Sequence, residues 1–288
     1  MSVNPDPGHR APPATGGRVR LGVVSDVHWC AGGPLEASWH NPFDFAGVAE
    51  RLDRALELFA DTHVDAVVAL GDLTHAGDER SMRAVVDRLT AQASTGPVLA
   101  VPGNHDCLER DDQLERCCRA GVGVPGGAGV EIGGLRLSGV AIETDARSGA
   151  FRSKRDGAFG RVEVLLSHFP VLSRASRITG RGLACPGDLL DRAQLAEQVT
   201  RRDQPLLVLN GHLHARESHA CGPVLQLTAG ALVEAPFEVA VVEAVWGPSD
   251  VLVRRRAVSL GPSAGARDPV FAPADETWTY DDRWRCSP

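Results

Sequence analysis

Aspartate, asparagine and histidine recur in five short words along this 288-residue chain: Asp26-Val27-His28, Gly71-Asp72, Gly103-Asn104-His105-Asp106, Ser167-His168 and Gly211-His212-Leu213-His214. Carboxylate and amide oxygens mixed with imidazole nitrogens form a donor set that suits divalent Mn, Fe or Zn. Residues two apart on an extended segment share a face, so Asp26 and His28 project together, as do His212 and His214. Asp72 is the natural bridge, because one carboxylate offers two oxygens and a shared anion offsets repulsion between two cations. A lone Asp at a strand end is commonly a helix cap, and a lone His a hydrogen-bonded core residue. Five such words in one order, each behind an apolar run, point instead to two metal ions held side by side.

The elements that must position these words follow from the apolar pattern. Val19–Ser25, Val64–Leu70 and Val98–Val101 read as buried strands ending at Asp26, Gly71-Asp72 and Gly103-Asn104. Apolar residues from Phe45 to Phe59 recur at helical spacing, and a second helix is expected over Glu79–Ala93. Strand–word–helix units in series predict parallel pairing with right-handed crossovers, and chemistry in the loops beyond the strands' carboxyl ends. Val130–Ile132 and Leu135–Ile142 flank the Gly133-Gly134 turn. Val162–Leu166 and Leu206–Leu209 lead into Ser167-His168 and Gly211-His212, with a helix from about Leu189 to Arg201 between them, capped by Asp188. Val224–Thr228, Phe237–Val245 and Val251–Val258 complete the strands. The expected fold class is α/β, two sheets face to face with helices outside. The expected organisation is a tail over 1–17, one domain over 18–260, and a Pro-punctuated strap over 261–288 carrying Trp278, Tyr280 and Trp284.

Composition narrows the classes. A formal net charge of −7 argues against a dedicated nucleic-acid binder, and Arg254-Arg255-Arg256 reads as a solvated strand with one charge paired against the core edge. No stretch approaches the roughly 20 apolar residues that span a bilayer, and the Pro- and Gly-rich start lacks a secretory apolar core. Seven scattered cysteines without a CxxC pair indicate neither a disulfide framework nor a zinc knuckle, so a reducing, cytoplasmic setting is expected. Cys30 and Cys107, each two residues past a site histidine, read as small turn residues.

The five words resemble the calcineurin-like metallophosphoesterase superfamily. That resemblance implies a four-layer αββα sandwich and two divalent ions. It places Asp26, His28 and His214 on one ion and Asn104, His168 and His212 on the other, with Asp72 shared. It makes His105 the catalytic histidine that protonates the leaving oxygen, after in-line attack by a hydroxide bridging the metals. Protein phosphatases of the superfamily carry Gly-Asp-x-x-Asp-Arg-Gly and Gly-Asn-His-Glu. This chain has Gly71-Asp72-Leu73-Thr74-His75-Ala76-Gly77 and Gly103-Asn104-His105-Asp106, closer to the bacterial branch similar to class III cyclic-nucleotide phosphodiesterases.

A small, nucleotide-like phosphodiester is therefore the expected substrate. A phosphomonoesterase, a nuclease and a non-catalytic protein-binding scaffold are the alternatives. Trp29 either stacks on a base or anchors its loop, and His75 either touches substrate or sits in a surface loop. Asp106 either orients an imidazole or caps a helix. Arg152, Lys154, Arg155, Arg174, Arg177 and Arg181 are candidates for a basic pocket rim. Oligomeric state is not legible.

Overall fold

The apolar runs that end in the Asp and His words become strands buried on both faces, as parallel strands must be when helices or a second sheet cover each side. In the computed structural model, β1 (Gly17–Val24), β2 (Ala66–Ala69) and β3 (Val98–Ala100) lie parallel, in register through Val23, Val68 and Leu99. The described residues are 16–287 apart from 33–35, 92–95, 119–121, 124–125, 127–128, 155–160, 186, 248–249 and 263–264. Most of the expected tail, and Arg155 of the expected rim, lie outside them.

Beyond β3 comes β4 (Val122–Gly123). On the other side of β1 the sheet runs on antiparallel through β13 (Glu238–Trp246), β14 (Val251–Ser259), β15 (Asp275–Tyr280) and β16 (Trp284–Ser287), eight strands in all. The second sheet has the order β11 (Glu217–Cys221), β12 (Val224–Thr228), β10 (Leu206–Asn210), β9 (Val164–Ser167), β6 (Leu135–Gly139), β5 (Val130–Ile132). Its centre, β12-β10-β9-β6, is parallel.

Three apolar layers hold these sheets. Helices α1 (Val48–Asp61) and α2 (Glu79–Ala91) bury Leu52, Leu56, Phe59, Met82 and Val85 against the outer face of the first sheet. Leu21, Val23, Val68, Leu166, Leu207 and Leu209 meet between the sheets. Leu195 and Val199 of α5 (Arg192–Thr200) cover the far face of the second sheet through Val208 and Val224. Each such side chain contributes roughly 1.5–3 kcal/mol on burial. Helices, sheet, sheet, helix is the expected αββα order, and both sheets are mixed.

Some elements differ from the expectation. The run Leu135–Ile142 breaks after Gly139: Val140 N–H still donates to Leu166 O, but Ile142 pairs with Ser153 in a separate hairpin of β7 (Ile142–Thr144) and β8 (Phe151–Ser153). Asp188 does not cap α5, which starts four residues later, at Arg192. Asp188 pairs with Arg192 at 2.9 Å, and Asp191, at the N-cap position, gives its carboxylate to Ser153 instead. The segment read as a strap forms β15 and β16, and Trp284 donates its indole N–H to Pro223 O at 2.7 Å. Arg254 and Arg256 are exposed on β14, while Arg255 turns inward to Glu276, 2.9 Å away. Two short helices, α3 (Gln113–Cys117) and α4 (Ala175–Thr179), were not anticipated.

Candidate metal centre

Beyond the carboxyl ends of the strands the chain turns so sharply that side chains of five separate loops converge. Asp26, His28, Asp72, His212 and His214 all have φ between +47° and +69°. For non-glycine residues this left-handed region costs roughly 1–2 kcal/mol each, and it persists only where the surroundings over-determine it. Cross-loop hydrogen bonds do so here: Asp26 N–H donates to Gly71 O, His28 N–H to Asp72 O, and Val233 N–H to Asp26 O. Glycine is required where loops touch. A Cβ on Gly103 would lie 2.2 Å from the Asp72 amide nitrogen, and one on Gly211 would collide with the Ser25 hydroxyl.

Three groups result: two clusters, Asp26-His28-His214 and Asp72-His168-His212, with every member buried, and His28-His75-His105, whose last two members are half-buried. The outer nitrogens of the imidazoles are committed to acceptors, and this assigns the tautomers. His168 Nδ1 donates to Leu70 O at 2.8 Å, His212 Nε2 to Gly187 O at 3.2 Å, and His214 Nδ1 to the Glu234 carboxylate at 2.7 Å. The inner nitrogens face one another: His212 Nδ1 is 3.1 Å from His168 Nε2, and His214 Nε2 is 3.4 Å from His28 Nε2. Asn104 Oδ1 lies 3.1 Å from His168 Nε2. Asp72 Oδ2 stands 3.6 Å from His28 and 3.4 Å from His168, between the two clusters. Each facing pair beside its carboxylate needs positive charge between its nitrogens, which a proton or a metal cation can supply. Oxygen and imidazole donors so placed suit divalent ions, so the residues present fit a pair of them.

The protonation pattern has the same cause. Burial opposes a charge on His168, but Asp72 outweighs it and lifts the imidazole to about 9. Burial likewise opposes a charge on His214, and Asp26 with Glu234 lifts it to about 10. Burial and the neighbouring His168 push His212 down to about 3. Despite burial, the imidazoles around them hold Asp26 below and Asp72 well below the usual carboxylate range. Each cluster thus draws one positive charge.

Residues 19–216 match the sequence profile described as calcineurin-like phosphoesterase. The chain belongs to that family. Calcineurin-like phosphoesterases hydrolyse phosphoester bonds, and this dimetal family's histidine and aspartate clusters are able to hold metal ions. A dimetal phosphatase from Danio rerio aligns over 86% of this chain and 100% of its own, at 14% identity and a TM-score of 0.58. A purple acid phosphatase from yellow lupin (Lupinus luteus) seeds aligns over 93% of this chain and 54% of its own, at 14% identity and TM-score 0.49. A phosphoesterase from E. coli aligns over 84% and 100%, at 15% identity and TM-score 0.38. At 14% identity the likeness to the Danio rerio phosphatase is one of fold alone. No curated protein sequence matches the chain. Among the described residues no helix is long and apolar enough to cross a membrane.

The structure brings all seven expected ligands together, and His105 with them. The His105 amide donates to Asp72 Oδ1 at 2.8 Å, and its ring stands 4.6 Å from that of His28. Asp106 neither orients an imidazole nor caps a helix. Its carboxylate accepts from the Gly103, Leu73 and Thr74 amides and the Thr74 hydroxyl, stitching two ligand loops together; burial and Asp72 push it up to about 6. Trp29 packs against the core under α1 and α2 with the Arg88 guanidinium 5.3 Å over its ring, which makes it a loop anchor. Cys107 is buried, and burial pushes its thiol up, far from a reactive thiolate.

Four of the six expected rim residues are engaged elsewhere, while Lys154 is exposed and Arg155 lies outside the described residues. Arg152 pairs with Asp145 at 2.6 Å, Arg177 with Glu217 at 3.0 Å, and Arg181 donates to Val270 O at 2.6 Å. Sequence reasoning missed Glu234, fully buried, which accepts from His214 and from the Asn41 amide. It also missed Phe43, stacked 5.5 Å from His214 at 22°. Nothing in their own neighbourhoods marks either residue.

Proposed function

We propose that this calcineurin-like phosphoesterase is a phosphodiesterase for a small or nucleotide-like substrate. Asp26, His28 and His214 hold one divalent ion, Asn104, His168 and His212 the other, and Asp72 is shared. Mn, Fe and Zn all suit the donors. The carrying observation is the two pairs of facing imidazole nitrogens beside two buried carboxylates, a set that draws positive charge to each cluster. Two ions there would acidify a water and neutralise phosphate oxygens.

The chain's own residues do the rest. His105 donates Nδ1–H to His75 O at 2.6 Å, which fixes its ring and leaves Nε2 to pass a proton to the departing oxygen. Asp106 keeps the Asp72 and Asn104–His105 loops in register. The spent arginines favour a diester. A monoester carries a second negative charge, and Arg152, Arg174, Arg177 and Arg181 already have carboxylate or carbonyl partners.

The test compares hydrolysis of bis(p-nitrophenyl) phosphate and p-nitrophenyl phosphate with Mn²⁺ and with chelator. Metal-dependent turnover that favours the diester is expected. Preference for the monoester would replace this reading with a phosphatase, and no turnover by metal-loaded protein would revive the scaffold.

A further inference from the structure

Each imidazole of the two clusters has an outer partner, and for three of them that partner is an oxygen. His168 has Leu70 O, His212 has Gly187 O and His214 has Glu234. Such partners fix a ligating histidine's tautomer and ring orientation. His28 differs: its Nδ1 lies 3.2 Å from the Nδ1 of His75. Where His28 Nε2 ligates a metal ion as proposed above, its proton sits on Nδ1 and is donated to His75, whose own proton is then on Nε2.

His75 is also committed to the other side of the chemistry. Its carbonyl accepts from His105 Nδ1 at 2.6 Å, and its ring stacks on that of His105 at 5.1 Å and 24°. Its backbone is held in turn. The His75 amide donates to Trp29 O, Thr74 is anchored on Asp106, and Phe45 stands edge-on to the ring at 5.0 Å. The half-buried ring is thus wedged between a ligand and the proposed acid rather than presented freely to substrate.

We infer that His75 is a positioning residue that ties the orientation of the metal-ligating His28 to that of the proton-donating His105. This rests on the roles proposed above for those two residues. One side chain would then set both the affinity of one ion and the delivery of the proton, so that neither could drift without the other.

The experiment uses the full chain with His75→Ala, His75→Asn, His105→Ala and the His75→Ala/His105→Ala double variant, each checked by thermal melting. Co²⁺ binding is followed by its visible absorption, and turnover is measured on bis(p-nitrophenyl) phosphate and on diphenyl phosphate. Phenolate is the more basic leaving group, so diphenyl phosphate depends more on His105. For His75→Ala, Co²⁺ affinity is expected to fall roughly 10–100-fold at one site. Its kcat should fall by a similar factor, more steeply on diphenyl phosphate, with KM little changed. The double variant should be no slower than His105→Ala, because a group that acts through His105 has nothing left to position. His75→Asn offers an amide oxygen where Nδ1 stood but no ring to stack. It should restore Co²⁺ affinity and not the diphenyl phosphate rate.

Wild-type Co²⁺ affinity in His75→Ala, or losses that multiply in the double variant, would overturn the inference. So would a defect confined to KM, which would make His75 a substrate contact. Wild-type protein that turns over neither diester would sink the proposed function instead, while the Co²⁺ titration would still judge the His28 half of this inference.

Discussion

The molecule buries two groups of charged and polar side chains, and they are built in opposite ways. The candidate metal centre is made of loop residues, five of its proposed ligands in left-handed backbone, with imidazole nitrogens and carboxylates facing inward. The second group sits on and beside regular strands: Arg255 with Glu276 at 2.9 Å, Arg216 with Glu238, and Arg174 and Arg177 on Glu217. There guanidinium answers carboxylate, and the protein supplies both signs of charge. Burial raises Glu217 and Glu238 and lowers Arg255, so the cost of burial is felt on both sides. Burial of polar groups therefore does not by itself mark a functional site. Strained backbone together with one sign of charge left unanswered does.

The largest expected effect comes from removing the shared carboxylate. Asp72→Ala should leave no detectable metal-dependent turnover and no bound metal, since both clusters lean on that side chain. Metal analysis of the purified variant together with a diesterase assay checks this. Near-normal metal content would show that the two clusters are independent and that Asp72 is not shared. His105→Ala should keep its metal and lose roughly 10²–10⁴-fold in rate. Loss of metal as complete as in Asp72→Ala would instead place His105 among the ligands.

The same contrast explains what was legible in the sequence. Ligands of the metal centre stand in short words at the ends of strands, and those strands are legible because parallel strands buried on both faces are continuous apolar runs, as in Val164–Ser167 and Leu206–Asn210. The Arg–Glu group had no such signature. β11, Glu-Ser-His-Ala-Cys, and β15, Asp-Glu-Thr-Trp-Thr-Tyr, are polar, and of each only the glutamate, Glu217 or Glu276, is buried, facing arginines from other segments. Arg174 and Arg177 follow the His168 word closely in sequence, yet Glu217 and Phe271, 43 and 94 residues from Arg174 and Arg177 respectively, claim them. Glu234 was hidden for the same reason, its partner His214 being set by the fold rather than by spacing.

Breaking the second group should cost stability and leave chemistry alone. Arg255 is 3% exposed and Glu276 is 6% exposed, and removing one partner of a buried pair leaves an unanswered charge. Arg255→Ala is expected to destabilise the fold by roughly 3–5 kcal/mol, read from urea unfolding, while kcat/KM of the folded protein stays at the wild-type value. A loss of diesterase activity in protein that remains folded would mean that this group also shapes the centre.

The smallest effect should come from removing both charges together. Arg255→Met with Glu276→Leu replaces a pair by apolar side chains of similar bulk, and such swaps are often neutral or stabilising because the desolvation of both ions is relieved. The pair here is imperfect. Among the described residues, Glu276 Oε1 at the 2.9 Å contact and Arg255 Nε are both buried without a hydrogen-bond partner. Arg255 does donate to Glu217 O at 2.9 Å, however, and loss of that bond leaves a buried carbonyl unanswered, at a cost of about 1–3 kcal/mol. The double variant should therefore melt close to wild type, well above Arg255→Ala. If it is as unstable as Arg255→Ala, the arginine matters through its carbonyl contacts rather than its ion pair. No equivalent apolar exchange is open to the metal centre, where the strained loops are arranged around charge that comes from outside the chain.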